Sequence, residues 1–187
     1  MHVKQAINER RAYRSLGPVA ITEVLIGDLA ESAQLAPSCF NNQPWRYVFV
    51  YEPDTLRKLK SALSAGNRWA HYASMIIAVF SRKDHDCVVR GREYHLFDVG
   101  MATGFLILRA TELGLVAHPI AGYDEDLVKK VLHIPTNMTV ITLVIVGVHS
   151  DAISSILSDK QVEAEGKRPK RLPMEKFAYM NGYKETS

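Results

Sequence analysis

Alternating strand-like and helix-like runs predict an α/β chain folded as one domain over residues 1–187, with 151–187 forming an extended C-terminal arm. Three observations carry this. Short runs rich in β-branched and aromatic residues occur at 47–51, 75–80 and 139–148. The segments between them place apolar residues at helical spacing. The 187 residues, 47% hydrophobic and 23% charged, are enough for one sizeable core.

In chain order, Thr22 caps a helix running to about Gln34, because Ile26, Leu29, Ala33 and Ala36 recur at helical spacing and Pro37 stops the run. Residues 47–51 follow as a buried strand. Pro53 opens a helix with Leu56, Leu59 and Leu63 on one stripe, and 75–80 form a second buried strand. A long helix spans 93–113, with Gly100, Ala102 and Gly104 permitting close helix approach, and Gly114 supplies a left-handed cap. Asp124 caps a short helix that Pro135 terminates, and residues 139–148, the strongest strand signal, belong at the centre of the sheet. Beyond Ser150 the periodicity weakens around Gly166, Pro169 and Pro173, so the arm is expected to pack on another subunit.

Bulk properties narrow the function. A formal charge of +3, with no basic face interleaved with aromatics, argues against nucleic acid as the partner. Cys39 and Cys87 lie far apart in sequence without zinc-site or CxxC spacing, which fits reduced thiols in the cytoplasm better than a disulfide framework. No apolar run has the length of a signal peptide or a membrane span, so a cytoplasmic protein without membrane contact is expected. His71, His85, His95 and His118 show no ligand spacing and suggest no metal, and Gly100 and Gly104 sit within a helical pattern rather than a dinucleotide-binding turn.

Four segments carry chemistry. Arg10, Arg11 and Arg14 flank Ala12 in a cluster whose guanidinium forks suit phosphate oxygens, although a solvated basic helix end has the same composition. Residues 36–45 form a loop stiffened by Pro37 and Pro44. Its Asn41 and Gln43 present a donor and an acceptor together, as the edge of a flavin pyrimidine ring requires; an ordinary helix-to-strand connection also fits. In 118–124, Gly122 lets a ligand approach the backbone and Pro119 and Ile120 offer an apolar surface, or the segment is a plain glycine turn. Lys167, Arg168, Lys170 and Arg171 form either a second phosphate clamp, a nucleic-acid patch or a solvated run.

Taken in this order, these segments resemble the nitroreductase family of FMN enzymes, with its Arg-rich N-terminal element, A-P-S-x-x-N-x-Q-P-W loop, P-I-x-G turn and basic C-terminal tail. Asp98, Val99 and Gly100 and the end of the long helix at 113–115 add to the likeness, which covers nearly the whole chain. The resemblance implies an α+β, three-layer fold with a mixed, mostly antiparallel central sheet flanked by helices, and a homodimer whose C-terminal tails pack on the partner subunit. It also implies roles by position. Arg10, Arg11, Ala12 and Arg14, with Lys170 and Arg171, match the FMN-phosphate site. Pro37, Ser38, Cys39, Asn41 and Gln43 match a loop reaching the flavin from the partner subunit. Pro119, Ile120, Ala121 and Gly122 match the turn facing the flavin N5 atom, and Asn67 or Arg68 stands where a polar or cationic group meets the pyrimidine edge.

Ala12 and Cys39 depart from the family's usual serines, and Ala121 stands where some members carry glutamate. Residues 81–97 correspond to a region where family members differ in substrate pocket; an exposed loop without a site role fits equally. The expected reaction is ping-pong: NAD(P)H reduces FMN, leaves, and is replaced by a nitroaromatic, quinone or related small electron acceptor. No protein acid or base is required, so no catalytic residue is named. A flavin carrier or sensor without turnover is the alternative.

Overall fold

The computed structural model describes residues 1–184. Its centre is strand β7 (Thr139–His149), which pairs antiparallel with β3 (Met75–Ser81), β6 (Leu115–Ile120) and β1 (Leu16–Gly17); β2 (Arg46–Val50) pairs antiparallel with β3. The sheet is therefore antiparallel at each of these pairings. A separate small hairpin, β4 (Val88–Val89) with β5 (Arg92–Glu93), projects between β3 and the longest helix.

The near-continuous apolar runs of β3 and β7 arise because both faces of the sheet are covered. Successive side chains alternate faces. Ile76, Ala78, Leu143 and Ile145 join Leu56, Leu59, Trp69 and Val128 in one core, beneath α3 (Pro53–Lys60) and α5 (Glu125–Leu132). Met75, Ile77, Val79, Val144 and Val146 join Leu29, Ala33, Val99 and Leu106 in the other, beneath α2 (Glu23–Gln34) and α4 (His95–Glu112). Helices on both faces make three layers, as the α+β expectation required.

Local signals act where expected. Thr22 accepts from the Leu25 N–H and Asp124 from the Leu127 N–H, each satisfying an otherwise orphaned first-turn donor. Gly114 adopts φ +78 behind α4. The short α5 ends on His133 in the left-handed region (φ 55), ahead of Pro135.

Three expectations are corrected. Residues 118–120, read as part of a turn, belong to β6, whose backbone groups are taken by β7; Pro119, which lacks an N–H, is tolerated because this strand has one pairing partner. The arm, read as irregular, contains a helix, α6 (Asp159–Gly166), that opens on a capping box in which Ser158 and Gln161 satisfy each other's backbone N–H. Cys39 and Cys87, read as reduced thiols, are joined as a disulfide with Cα atoms 6.3 Å apart. Among the described residues, no helix is long and apolar enough to cross a membrane.

Candidate functional site

The N-terminal helix α1 (Val3–Glu9) hands over to a non-helical stretch, residues 10–15, that the C-terminal segment clamps from the side. The Glu165 carboxylate, only 6% exposed, accepts from the Arg14 N–H at 2.7 Å and the Ser15 N–H at 3.1 Å. Arg168 donates to the carbonyls of Asn8 and Arg10. Arg11 is turned into this clamp: its guanidinium donates to the carbonyls of Ala164 (2.8 Å) and Glu165 (3.2 Å) and covers the Tyr13 ring. Arg11 thus serves to dock the two termini, which sets it apart from Arg10 and Arg14.

Arg10 lies beside Arg168, Arg171 and Arg11. Burial first, and then these like charges, lower its pKa. Burial likewise lowers that of Arg14, with Glu165 opposing. Arg14 sits 5.8 Å from the centre of the Trp69 ring, and Trp69 stacks on His118 at 4.6 Å. Burial holds the His118 pKa down at about 4; the bond to Tyr13 opposes this, and Arg14 and Arg10 add to the depression. A neutral ring must carry its proton on Nδ1, because the Tyr13 carbonyl 3.0 Å away can only accept.

Past the end of β6 the chain reaches Ala121 and Gly122. Pro119 and Ala121 are exposed, whereas Ile120, expected to offer apolar surface, is 7% exposed and belongs to the core. The alternation of a strand explains the difference. Gly122 has a packing reason to be glycine: a Cβ there would meet Ser64 Oγ at 2.5 Å and Asn67 Nδ2 at 2.7 Å. Its carbonyl accepts from the Ser64 N–H and from Asn67 Nδ2, so the 3-10 segment Ala65–Tyr72 is locked to the turn. Asn67 is partly buried in this contact, while Arg68 is exposed. Arg10, Arg14, Trp69, His118, Asn67 and the 119–122 turn are thereby brought to one region. Lys170 and Arg171 are exposed, and Arg171 is near enough to Arg10 to act on its charge.

The loop at 37–43 is elsewhere. Asp98 near the start of α4 accepts from the Cys39 N–H at 2.6 Å, and Ser38 Oγ accepts from the Gln43 N–H. Phe40, Asn41 and Gln43 all hold positive φ (48, 57 and 49), a concentration of left-handed backbone that bulky side chains rarely adopt, and Phe40 is 87% exposed. Asn41 is exposed and Pro37 likewise. Burial raises the Asp98 pKa, the Cys39 N–H opposes, and the neighbouring Asp86 carboxylate adds to the rise.

Two rulers separate this loop from the arginines. Ser81, paired with Thr139, bonds the Pro44 carbonyl, whereas Leu16 pairs with His149. From 139 to 149 the strand advances about 34 Å at roughly 3.4 Å per residue. Along α4, Asp98 holds the loop while Thr111 lines a cleft with Arg11 and Tyr13, a separation of about 20 Å at roughly 1.5 Å per residue.

Sequence reasoning missed Glu165, Trp69, the role of His118 and the backbone contacts that Arg168 makes to Asn8 and Arg10. The Ser158-x-x-Gln161 capping box was a readable signal for the helix that delivers Glu165; nothing local marks Trp69 or His118.

The sequence profile described as "Nitroreductase family" matches residues 7–68 and 61–148. An NADH dehydrogenase of Thermus thermophilus is 24% identical over 94% of each chain. An iodotyrosine deiodinase of Haliscomenobacter hydrossis is 28% identical over 76% of this chain and 77% of its own. Among solved structures, an oxidoreductase containing FMN superposes with a TM-score of 0.84 at 28% identity, over 100% of this chain and 95% of that one. A nitroreductase family protein from Clostridium novyi NT gives 0.75 at 25%, over 81% and 87%. The chain belongs to the nitroreductase family.

Proposed function

We propose that this chain is an FMN-dependent oxidoreductase that works as a homodimer, taking reducing equivalents from NADH or NADPH and passing them to a nitroaromatic, a quinone or a related small acceptor in two separate half-reactions. The observation that carries the reading is the group of guanidiniums around Arg10, where burial and then the charges of Arg168, Arg171 and Arg11 lower its pKa. A phosphate dianion relieves that repulsion, so the residues fit the group.

When bound, FMN supplies a hydride acceptor and donor at its N5 atom. Arg10 and Arg14 hold the phosphate, with Arg171 and Lys170 closing over it and Arg168 fixing the Arg10 backbone. Ala12 leaves space where a hydroxyl would add a hydrogen bond. Past β6, the backbone N–H groups of Ala121 and Gly122, beside the exposed Pro119, would hold the N5 side of the ring, and Asn67, with its Nδ2 committed to Gly122, would use its Oδ1 at the pyrimidine side. Arg68 lies beside it as the cation for charge on the reduced ring. Arg11 contributes by holding the termini together.

The loop residues Ser38, Cys39, Asn41 and Gln43 reach the flavin of the partner subunit. The separation of about 20 Å or more from their own chain's arginines, which follows from roughly 1.5 Å per helical residue, supports this. The exposed Leu172, Met174, Phe177, Met180 and Tyr183 of the arm are apolar side chains that a partner would cover. A cytoplasmic location fits this chemistry.

The test is optical. Purified protein carries a flavin spectrum or acquires one on adding FMN; anaerobic NADH or NADPH bleaches it and an acceptor restores it. Protein that stays colourless with excess FMN defeats the proposal, and bound flavin that no nicotinamide bleaches leaves a carrier or sensor instead.

A further inference from the structure

We propose that Cys39 and Cys87 are a reversible dithiol/disulfide pair, opened by a dithiol reductant, that latches the 82–94 excursion against the loop at 37–43. The two cysteines are 48 residues apart, and their Cα separation of 6.3 Å lies within the range a disulfide spans. Both are partly exposed, so a small reductant can reach them.

What the crosslink holds is weakly held otherwise. The excursion comprises a 3-10 turn (Lys83–His85) and the two-residue strands β4 and β5, turning through Arg90 (φ 50) and Gly91 (φ 80). None of its residues joins either apolar core. Beside the sulfurs, its side-chain ties to the loop are an exposed hydrogen bond from Asn42 to Asp86 at 3.2 Å and, through Asp98, the contact of Asp86 with the carboxylate that holds the Cys39 N–H. A segment without core contacts opens at little cost once its tether is cut.

The position gives the latch a consequence. Cys39, Phe40, Val89, Tyr94, Phe97 and Asp98 line one cleft, so the crosslink fixes the spacing of its two walls. That this cleft leads acceptors to the flavin rests on the functional reading above; the redox chemistry of the pair does not.

The step balances as ordinary exchange. A thiolate of the reductant attacks one sulfur and the Cys39–Cys87 bond breaks as a mixed disulfide forms. The reductant's second thiol then displaces it and leaves as a cyclic disulfide. Two electrons come from the reductant, and two protons finish on Cys39 and Cys87.

The experiment uses the full chain equilibrated in oxidised-to-reduced dithiothreitol buffers, alkylated, and weighed intact. Both thiols should become reactive together, and amide exchange across 82–94 should quicken about tenfold or more on reduction. Cys87→Ser should exchange fast in every buffer and show no response. With flavin bound, the KM for a quinone acceptor should shift severalfold between buffers in the natural sequence and stay constant in Cys87→Ser. Thiols that remain free in every buffer, a reduced pair that holds one zinc ion through both sulfurs, or exchange that ignores the redox state each overturn the proposal. Colourless protein with redox-dependent exchange defeats the flavin reading and leaves the latch standing. An acceptor KM equal in both states, with normal turnover, removes the access role alone.

Discussion

The two ends of β7 are built on opposite plans. At its His149 end, the arginine-bearing stretch is over-determined: Glu165 takes two backbone N–H groups, Arg168 and Arg11 bind carbonyls of the opposite terminus, and His118 holds Tyr13. At its Thr139 end, the loop at 37–43 carries three left-handed residues and an 87% exposed Phe40, secured by Asp98, Ser38 and the crosslink. The first end is a densely tied cluster of arginines and the second is a projecting loop. On the proposed reading they are the two parts of a flavin site, a cradle and a finger held apart in one chain, which a symmetric pair of subunits could use twice.

The sharpest way to break this comparison is complementation. Arg10→Ala chains and Asn41→Asp chains, co-expressed with different tags and isolated as the heterodimer, should bind about half the flavin of the natural dimer, because one of its two symmetric sites has neither change. Each homodimer alone should bind little. If the two parts met within one chain, both sites of the heterodimer would carry a change and flavin content would stay low.

Glu165→Ala should be the most damaging change to the cradle itself. It leaves the Arg14 and Ser15 N–H groups without their acceptor, at about 3–6 kcal/mol for two charge-assisted bonds. Urea midpoints should fall accordingly, and FMN affinity should fall with them. Glu165→Gln, which keeps one acceptor oxygen, should recover part of both. Equal losses for the two variants would mean that charge, not backbone pairing, sets the geometry.

His118 makes the cradle pH-sensitive. Its folded pKa of about 4 lies below the ordinary 6.5, so the unfolded chain binds the proton more readily. Stability from this group is complete above about pH 6.5 and is lost as pH falls toward 4, by about 3 kcal/mol at the limit. Urea titrations of the natural sequence and of His118→Gln at pH 7 and pH 4.5 should show a smaller acid loss in the variant. A bound phosphate dianion should move the titration upward, since it neutralises Arg10 and Arg14.

How much of this was legible follows from which contacts are local. Thr22, Pro53, Asp124 and Gly114 act on neighbours in sequence, and the near-continuous apolar runs of β3 and β7 declare strands buried on both faces; those elements are where the pattern puts them. The loop at 36–45 is legible for the same reason, its spacing being internal. Arg11 is different. Composition groups it with Arg10 and Arg14, but its partners at 164 and 165 are 153 and 154 residues away. His118 and Trp69 meet only because β6 lies beside the 3-10 segment, and Cys39 meets Cys87 only because the excursion returns to the loop. Ile120 was misread because a strand, once missed, cannot show its alternation.

Gly122 supplies the smallest and most local test of the cradle. Gly122→Ala should cost about 1–3 kcal/mol, the range for forcing a methyl into a packed site, since its Cβ would fall 2.5 Å from Ser64 Oγ and 2.7 Å from Asn67 Nδ2. Both obstacles are side-chain atoms, so relief is available. Ser64→Gly in the same chain removes the nearer one and should return part of the loss, making the two changes less than additive. The double variant also separates packing from ligand approach. If glycine is there for Ser64 and Asn67, restored stability should bring restored FMN affinity; stability regained without affinity would show that the ring edge itself needs the bare backbone.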